Sequence, residues 1–224
     1  AVKTMKTPPW LTLLALLALN GSHALAQTAD QRALLDGVRE IGAPGVPGPL
    51  CVFGRDAFPV VVGKAGEGAF APVVAAAKLG RGRVVALGHT GYVEPETHAD
   101  TGRLLVNAVR WAAQTNTVHV GVRRQPGLVK LLQAQGLAAE SLDGNGWRER
   151  LKDLHVVCGN SESFAADADV TAVDKFIRDG GGFVTASLGW GWLQLNPGKS
   201  LTTHHAGNRL LAPAGIVWAD GTLE

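Results

Sequence analysis

The stretch Asp153–Trp192, DLHVVCGNSESFAADADVTAVDKFIRDGGGFVTASLGWGW, constrains the fold more than any other part of the chain. Leu154–Cys158 is a short apolar run broken by Gly159-Asn160. Val170, Val173, Phe176 and Ile177 then recur at helical spacing, Gly180-Gly181-Gly182 stops that helix, and Phe183–Ala186 is a second apolar run. Strand, helix and strand in that order predict a βαβ unit, two parallel strands joined by a crossover. The loops after both strands then leave one edge of the sheet, where α/β folds keep their sites. Asn160–Ser163 and Ser187–Trp192 are the loops expected to frame a site.

The preceding residues extend the pattern. Val118–Val122 reads as a strand, Pro126–Gln135 as a helix with proline in its first turn and Gly136 as its cap, and Leu137–Leu142 as a further strand. Trp147–Lys152 is a short helix leading into Asp153. Upstream, Thr28–Ile41 reads as a helix with Leu34, Leu35, Val38 and Ile41 on one face, and Thr101–Ala113 as another. Between them Leu50–Phe53 and Phe58–Val62 suggest one strand pair, and Ala71–Ala77 and Val84–Leu87, flanking Gly80-Arg81-Gly82-Arg83, a second. The fold class is therefore α/β: an open parallel sheet over 117–224, preceded by a smaller β-rich segment with flanking helices over 27–116. One more apolar run, Gly215–Trp218, precedes Asp220–Glu224.

Residues 1–26 are set apart as a leader. Lys6, the apolar Trp10–Leu19 and the small-x-small Ala24-Leu25-Ala26 have the form of a secretory signal cleaved before Gln27, so the protein is expected to be exported. The apolar core is short for a membrane span, and no membrane role beyond export is expected. Ala1–Thr4 precede Met5, the single methionine, and read as translated upstream sequence. At the other end no closing helix follows the last apolar run, so the polypeptide is expected to continue past Glu224. A net charge of +2, without a basic run and with 6% aromatics, gives no nucleic-acid groove. Cys51 and Cys158, the two cysteines, lie in apolar strand-like runs and are expected to be buried free thiols rather than a disulfide.

Chemistry is sparse. Thr185-Ala186-Ser187-Leu188-Gly189 follows a strand as a nucleophile elbow would, but Thr185 stands where the elbow's first glycine belongs. Ser187 as nucleophile needs a base, for which His204 or His205 is available, and an acid, for which Asp220 or Glu224 is the downstream choice. The simpler reading is a structural serine at a strand end. Cys158 is read as a core thiol, since no helix start or histidine activates it. The six histidines beyond the leader show neither His-Glu-x-x-His nor Cys-x-x-Cys spacing, so no metal is expected in this chain. Trp190 and Trp192 flank Gly191; exposed, they would stack on sugar rings, and buried, they would cap the core. With Asn160, Ser161 and Glu162 on the neighbouring loop they form the candidate binding surface.

LGRGRVVALGHTGYV (79–93), LLVNAVRWAA (104–113), VGVRRQPGLVKLLQAQGL (120–137) and VDKFIRDGGGFVTASLGWGW (173–192) occur in that order and resemble the N-terminal region of the TRP-channel-associated factor family. In that family and its bacterial relatives this region precedes an enhancin-like, mucin- or glycoprotein-degrading zinc metallopeptidase domain. The resemblance covers about Ala33 to Asp220 and implies a class I glutamine-amidotransferase-like, flavodoxin-like fold with Ser187 at the place of the catalytic cysteine. It implies a non-catalytic accessory or binding module, with the downstream peptidase domain and glycoprotein or glycan as partners. Zinc would belong to that downstream domain. Two other readings remain: an amidotransferase-like or trehalose-utilisation-like hydrolase using Ser187, and a carbohydrate-binding module.

Overall fold

Val84–Leu87, Val156–Cys158 and Phe183–Ala186 are apolar but for Thr185 and buried at every position, the mark of strands covered on both faces rather than one. A computed structural model describes residues 25–42, 45–94 and 98–224; the expected leader lies outside them except for its last two residues, as do Ala1–Thr4 and Met5. In chain order the elements are a helix α1 over 25–34, strands β1 (Ile41–Gly42), β2 (Leu50–Val52), β3 (Ala57–Lys64), β4 (Phe70–Leu79), β5 (Gly82–Leu87) and β6 (His98–Ala99), and helix α2 (Thr101–Ala113). There follow β7 (His119–Arg123), α3 (Pro126–Ala134), β8 (Ala138–Ser141), β9 (Val156–Asn160), α4 (Asp167–Arg178), β10 (Gly182–Ala186), α5 (Gly189–Leu195), α6 (Ala206–Leu211) and β11 (Ile216–Trp218).

Seven strands form one sheet in the order β3-β4-β5-β10-β9-β7-β8. The β3-β4 and β4-β5 pairs are antiparallel, and every pair from β5 to β8 is parallel. Because side chains alternate along a strand, Val85, Leu87, Val184, Ala186, Val156 and Cys158 meet α1, α2 and α3 on one face. Val84, Ala86, Val157 and Phe183 meet α4, α6 and Trp218 on the other. The expected α/β architecture is therefore present as three layers, with Asp153–Trp192 as its βαβ centre: β9 and β10 pair in register from Val156↔Gly182 to Asn160↔Ala186.

Several local expectations are corrected. The first helix ends at residue 34, not Ile41: Gly37 takes a left-handed φ of 66°, and Arg103 lies 3.0 Å from where its Cβ would stand, so the chain turns there into β1. β2 does not pair with β3 as a local hairpin; it pairs antiparallel with the distant β11, Cys51 opposite Val217. Cys51 is consequently exposed at that small ribbon while Cys158 is buried, and both are free thiols. The short helix expected over Trp147–Lys152 is present as a 3-10 helix, Glu149–Asp153. The division expected at residue 116 falls in the α2–β7 connection, and the sheet and one core cluster continue across it through the β5–β10 pair.

The parallel order also fixes where a site should lie. From β7 the chain crosses outward to β8, whereas from β9 it crosses the other way to β10, so the carboxyl ends of β7 and β9 form a topological switch point.

Candidate functional site

Ser187 leaves the end of β10 with its amide held by the Leu87 carbonyl at 3.1 Å, and its side chain is buried. Its Oγ lies 2.8 Å from Nε2 of His205, the residue that starts α6. His205 is wholly buried between two indoles, with Trp192 edge-on at 5.4 Å and Trp218 tilted at 5.5 Å. Glu162 Oε1 accepts from the Ala206 backbone N–H at 3.2 Å and stands 3.6 Å from the same Nε2. A serine, a histidine and a carboxylate thus meet at the carboxyl edge of the sheet.

Their polarity, however, is not that of a hydrolase triad. His205 Nδ1 accepts the backbone N–H of Asn208 at 3.1 Å, so its lone pair is occupied and the ring proton must sit on Nε2. Nε2 then donates toward Ser187 Oγ, where a general base would need to accept. A triad also requires its acid on Nδ1, to orient the ring and stabilise the imidazolium. Here Glu162 faces Nε2 and a backbone amide occupies Nδ1. Burial holds the His205 pKa down to about 4, so the ring is neutral at pH 7. Burial also raises the Glu162 carboxyl, against the lowering effect of the Trp192 side chain and the Ala206 amide.

The edge is also covered. Gly48 N–H bonds the Gly88 carbonyl at 2.8 Å, Ala219 N–H the Pro49 carbonyl at 3.1 Å and Leu223 N–H the Pro47 carbonyl at 2.8 Å. These bonds draw residues 47–49 and the segment after β11 over the ends of β5 and β10. Thr185, in place of an elbow glycine, spends its hydroxyl on the Gly159 carbonyl at 2.8 Å and ties β10 to β9.

The remaining candidates separate. His204 is exposed, and its Nδ1 accepts from the Ser200 amide at 3.1 Å, so it does not reach Ser187. Cys158 is buried within β9 with its thiol pushed well up by burial, which removes thiolate at neutral pH. The two expected loops are short helices: Ser161–Phe164 is a 3-10 turn started by Asn160, whose Oδ1 accepts the Glu162 amide at 3.0 Å, and Ser187–Trp192 opens α5. Ser161 and Trp192 are buried, whereas Asn160, Glu162 and Trp190 are half-buried. Trp190 sits apart from Trp192, donating its indole N–H to the Val46 carbonyl at 3.3 Å. The five residues therefore do not form one open aromatic platform. Among the described residues no group of three or more His, Cys, Asp and Glu side chains is placed to hold a metal ion.

Two residues at this edge escape sequence reasoning. Arg123, at the switch point, buries its guanidinium 4.5 Å over the Trp147 ring and donates to the Ser163 carbonyl at 2.7 Å. The only signal for it is a charge closing the apolar run Val118–Val122. Asn208 bonds both the amide and the carbonyl of Trp218, at 2.7 and 2.9 Å, besides holding His205. No pattern in the sequence marks it.

Comparison with known proteins identifies the family of the chain. Residues 14–224 match the sequence family described as TRPM8, N-terminal domain. TRPM8 channel-associated factor 2 of Bos taurus is 33% identical over 198 residues, 87% of this chain and 20% of that protein. TRPM8 channel-associated factor 1 of Homo sapiens is 32% identical over 190 residues, 84% of this chain and 19% of that protein. Among solved structures, the IMPa metallopeptidase from Pseudomonas aeruginosa is similar with a TM-score of 0.70 at 16% identity, over 97% of this chain and 24% of that one. IMPa in complex with an O-glycopeptide gives the same TM-score at 15% identity, over 94% and 24%. At such identity the likeness shows the fold. The chain spans about a fifth of the length of the curated relatives it matches and about a quarter of the IMPa chain. By sequence, the chain belongs to the TRPM8 channel-associated factor N-terminal domain family.

Proposed function

We propose that this chain is a non-catalytic accessory module of a longer, exported zinc metallopeptidase directed at glycoproteins, whose peptidase domain lies outside residues 1–224. One observation carries the non-catalytic half: His205 presents Nε2–H, not a lone pair, to Ser187, because Asn208 N–H occupies Nδ1. The covered sheet edge supports the same half. The metallopeptidase half draws support from the likeness in fold to IMPa, which has been solved as a metallopeptidase and with an O-glycopeptide, and from relatives several times longer than this chain. A sugar-stacking role for the two tryptophans has less support, since Trp192 is packed against His205 and Trp190 has its N–H engaged.

Two assays test this reading. A fluorophosphonate should fail to label Ser187, and ester hydrolysis by the chain should match that of its Ser187→Ala variant. Stoichiometric labelling of Ser187 that disappears in His205→Gln would establish a hydrolase instead. In the full-length protein, deleting this module should lower cleavage of a glycoprotein more than cleavage of a short peptide. Equal effects on both substrates would remove the accessory role.

A further inference from the structure

A cavity of about 510 Å³ opens at the opposite, amino edge of the parallel strands, far from Ser187. Small-molecule sites typically enclose about 300–1,000 Å³ with apolar walls and a few convergent polar groups. Leu151, Leu154, Ala172 and Phe176 supply the apolar wall. Leu151 precedes β9 in its 3-10 turn, Leu154 enters the strand, and Ala172 and Phe176 come from one face of α4, so three elements converge. The Phe176 ring approaches the backbone before β10 this closely because Gly181 has no side chain: a Cβ there would fall 2.4 Å from the ring.

The rim is cationic. Arg148, Lys152 and Lys175 line it, against the single carboxylate of Asp179. Asp179 is already engaged by Lys175 and, at 3.8 Å, by Arg81, while Arg148 is held by Asp169 behind the wall. Arg148 is thus paired with Asp169, and Lys175 shares Asp179 with Arg81, which leaves Lys152 as the lining cation without a carboxylate. Lys152 is exposed and has no ion-pair partner among the described residues. The carboxyl end of α4, which would repel an anion, is capped from within: Gly180 N–H bonds the Ile177 carbonyl, Gly181 N–H that of Phe176 and Arg81 N–H that of Arg178. An apolar recess with one uncompensated ammonium at its mouth matches one chemical class.

We propose that this cavity binds a small, soluble amphipathic monoanion, its apolar body against Leu151, Leu154 and Phe176 and its carboxylate or sulfonate on Lys152. The proposal is independent of the accessory reading above, which concerns the other edge of the sheet. The test is titration of the intact chain with decanoate, followed by backbone amide shifts, beside decyltrimethylammonium and butyrate. Decanoate should bind about tenfold or more tightly than either control, with shifts confined to 148–155 and 172–181. Lys152→Glu, at an exposed position, should weaken it about fivefold, and Ala172→Trp, which fills the recess, should abolish it. Equal binding of decanoate and decyltrimethylammonium, shifts centred elsewhere, or unaltered affinity in Lys152→Glu would each overturn the assignment. Binding to anionic vesicles without any response to free decanoate would overturn it too, in favour of a membrane surface.

Discussion

Asn208 is satisfied on every side: its amide nitrogen donates to the carbonyls of Leu201 and Trp218, its side-chain oxygen accepts the Trp218 amide, and its own backbone N–H holds His205. Truncation to alanine would leave buried Trp218 backbone groups without partners, and an unsatisfied buried group costs about 1–3 kcal/mol. Asn208→Ala should therefore destabilise by about 3 kcal/mol in urea denaturation, whereas Ser187→Ala, which deletes a single hydrogen bond, should cost about 1 kcal/mol. His205 adds a pH dependence. Its folded pKa is lowered from 6.5 to about 4, so between those values the unfolded chain takes up a proton that the folded chain refuses. Stability from this residue is complete above about pH 6.5 and is lost as pH falls toward 4, by roughly 3 kcal/mol at most. Glu162, raised by burial, acts in the opposite sense and offsets part of the loss. Denaturation midpoints measured from pH 7 to 4 should fall less steeply in His205→Gln than in the parent chain. Of this cluster, Ser187 and the two histidines were legible because a serine after an apolar strand has few explanations. The choice of His205 over His204 was not, since it depends on which of two neighbours starts α6 and turns inward.

At the scale of elements, the closest approaches are made by backbone against backbone, and glycines permit them. A Cβ on Gly82 would stand 2.1 Å from the Ile177 carbonyl oxygen and 2.3 Å from that of Gly181, where the start of β5 meets the end of α4. Neither neighbour can swing away as a side chain would. Gly82→Ala should cost about 3 kcal/mol or more; Gly136→Ala, whose Cβ would meet nothing within 4 Å, should show only the smaller penalty of its left-handed φ of 75°. Denaturation of the two variants side by side checks the contrast. The parallel strands and α2, α3 and α4 were readable from the sequence because each carries its own periodicity and its own stop: Gly136 after α3, Gly180 after α4. The β2–β11 ribbon was not readable. It joins Leu50–Val52 to Ile216–Trp218, and no local pattern specifies a pairing across that separation. The tryptophan-bearing α5 was missed for a different reason: two glycines within four residues oppose helix by propensity, and burial of Trp192 overrides them.

For the whole molecule, continuity of the sheet through β5 and β10 predicts that the two halves unfold as one cooperative unit. Urea unfolding followed by tryptophan fluorescence and by far-ultraviolet circular dichroism should give coincident single transitions; a separate transition for residues before 116 would contradict that continuity. The same sheet has two contrasting edges. One is closed by residues 47–49 and the segment after β11 over a buried Ser187–His205 contact, and the other opens as the cavity beside Phe176. The role we propose is that of a module supporting chemistry elsewhere in a longer chain. That account stands on which nitrogen of His205 carries the proton. Nitrogen-15 chemical shifts and long-range couplings of the His205 ring, followed from pH 7 to 4, measure it directly. The account predicts a neutral ring protonated on Nε2 that titrates near 4. A ring protonated on Nδ1, with Nε2 free to accept from Ser187, would contradict it and return the site to hydrolase chemistry.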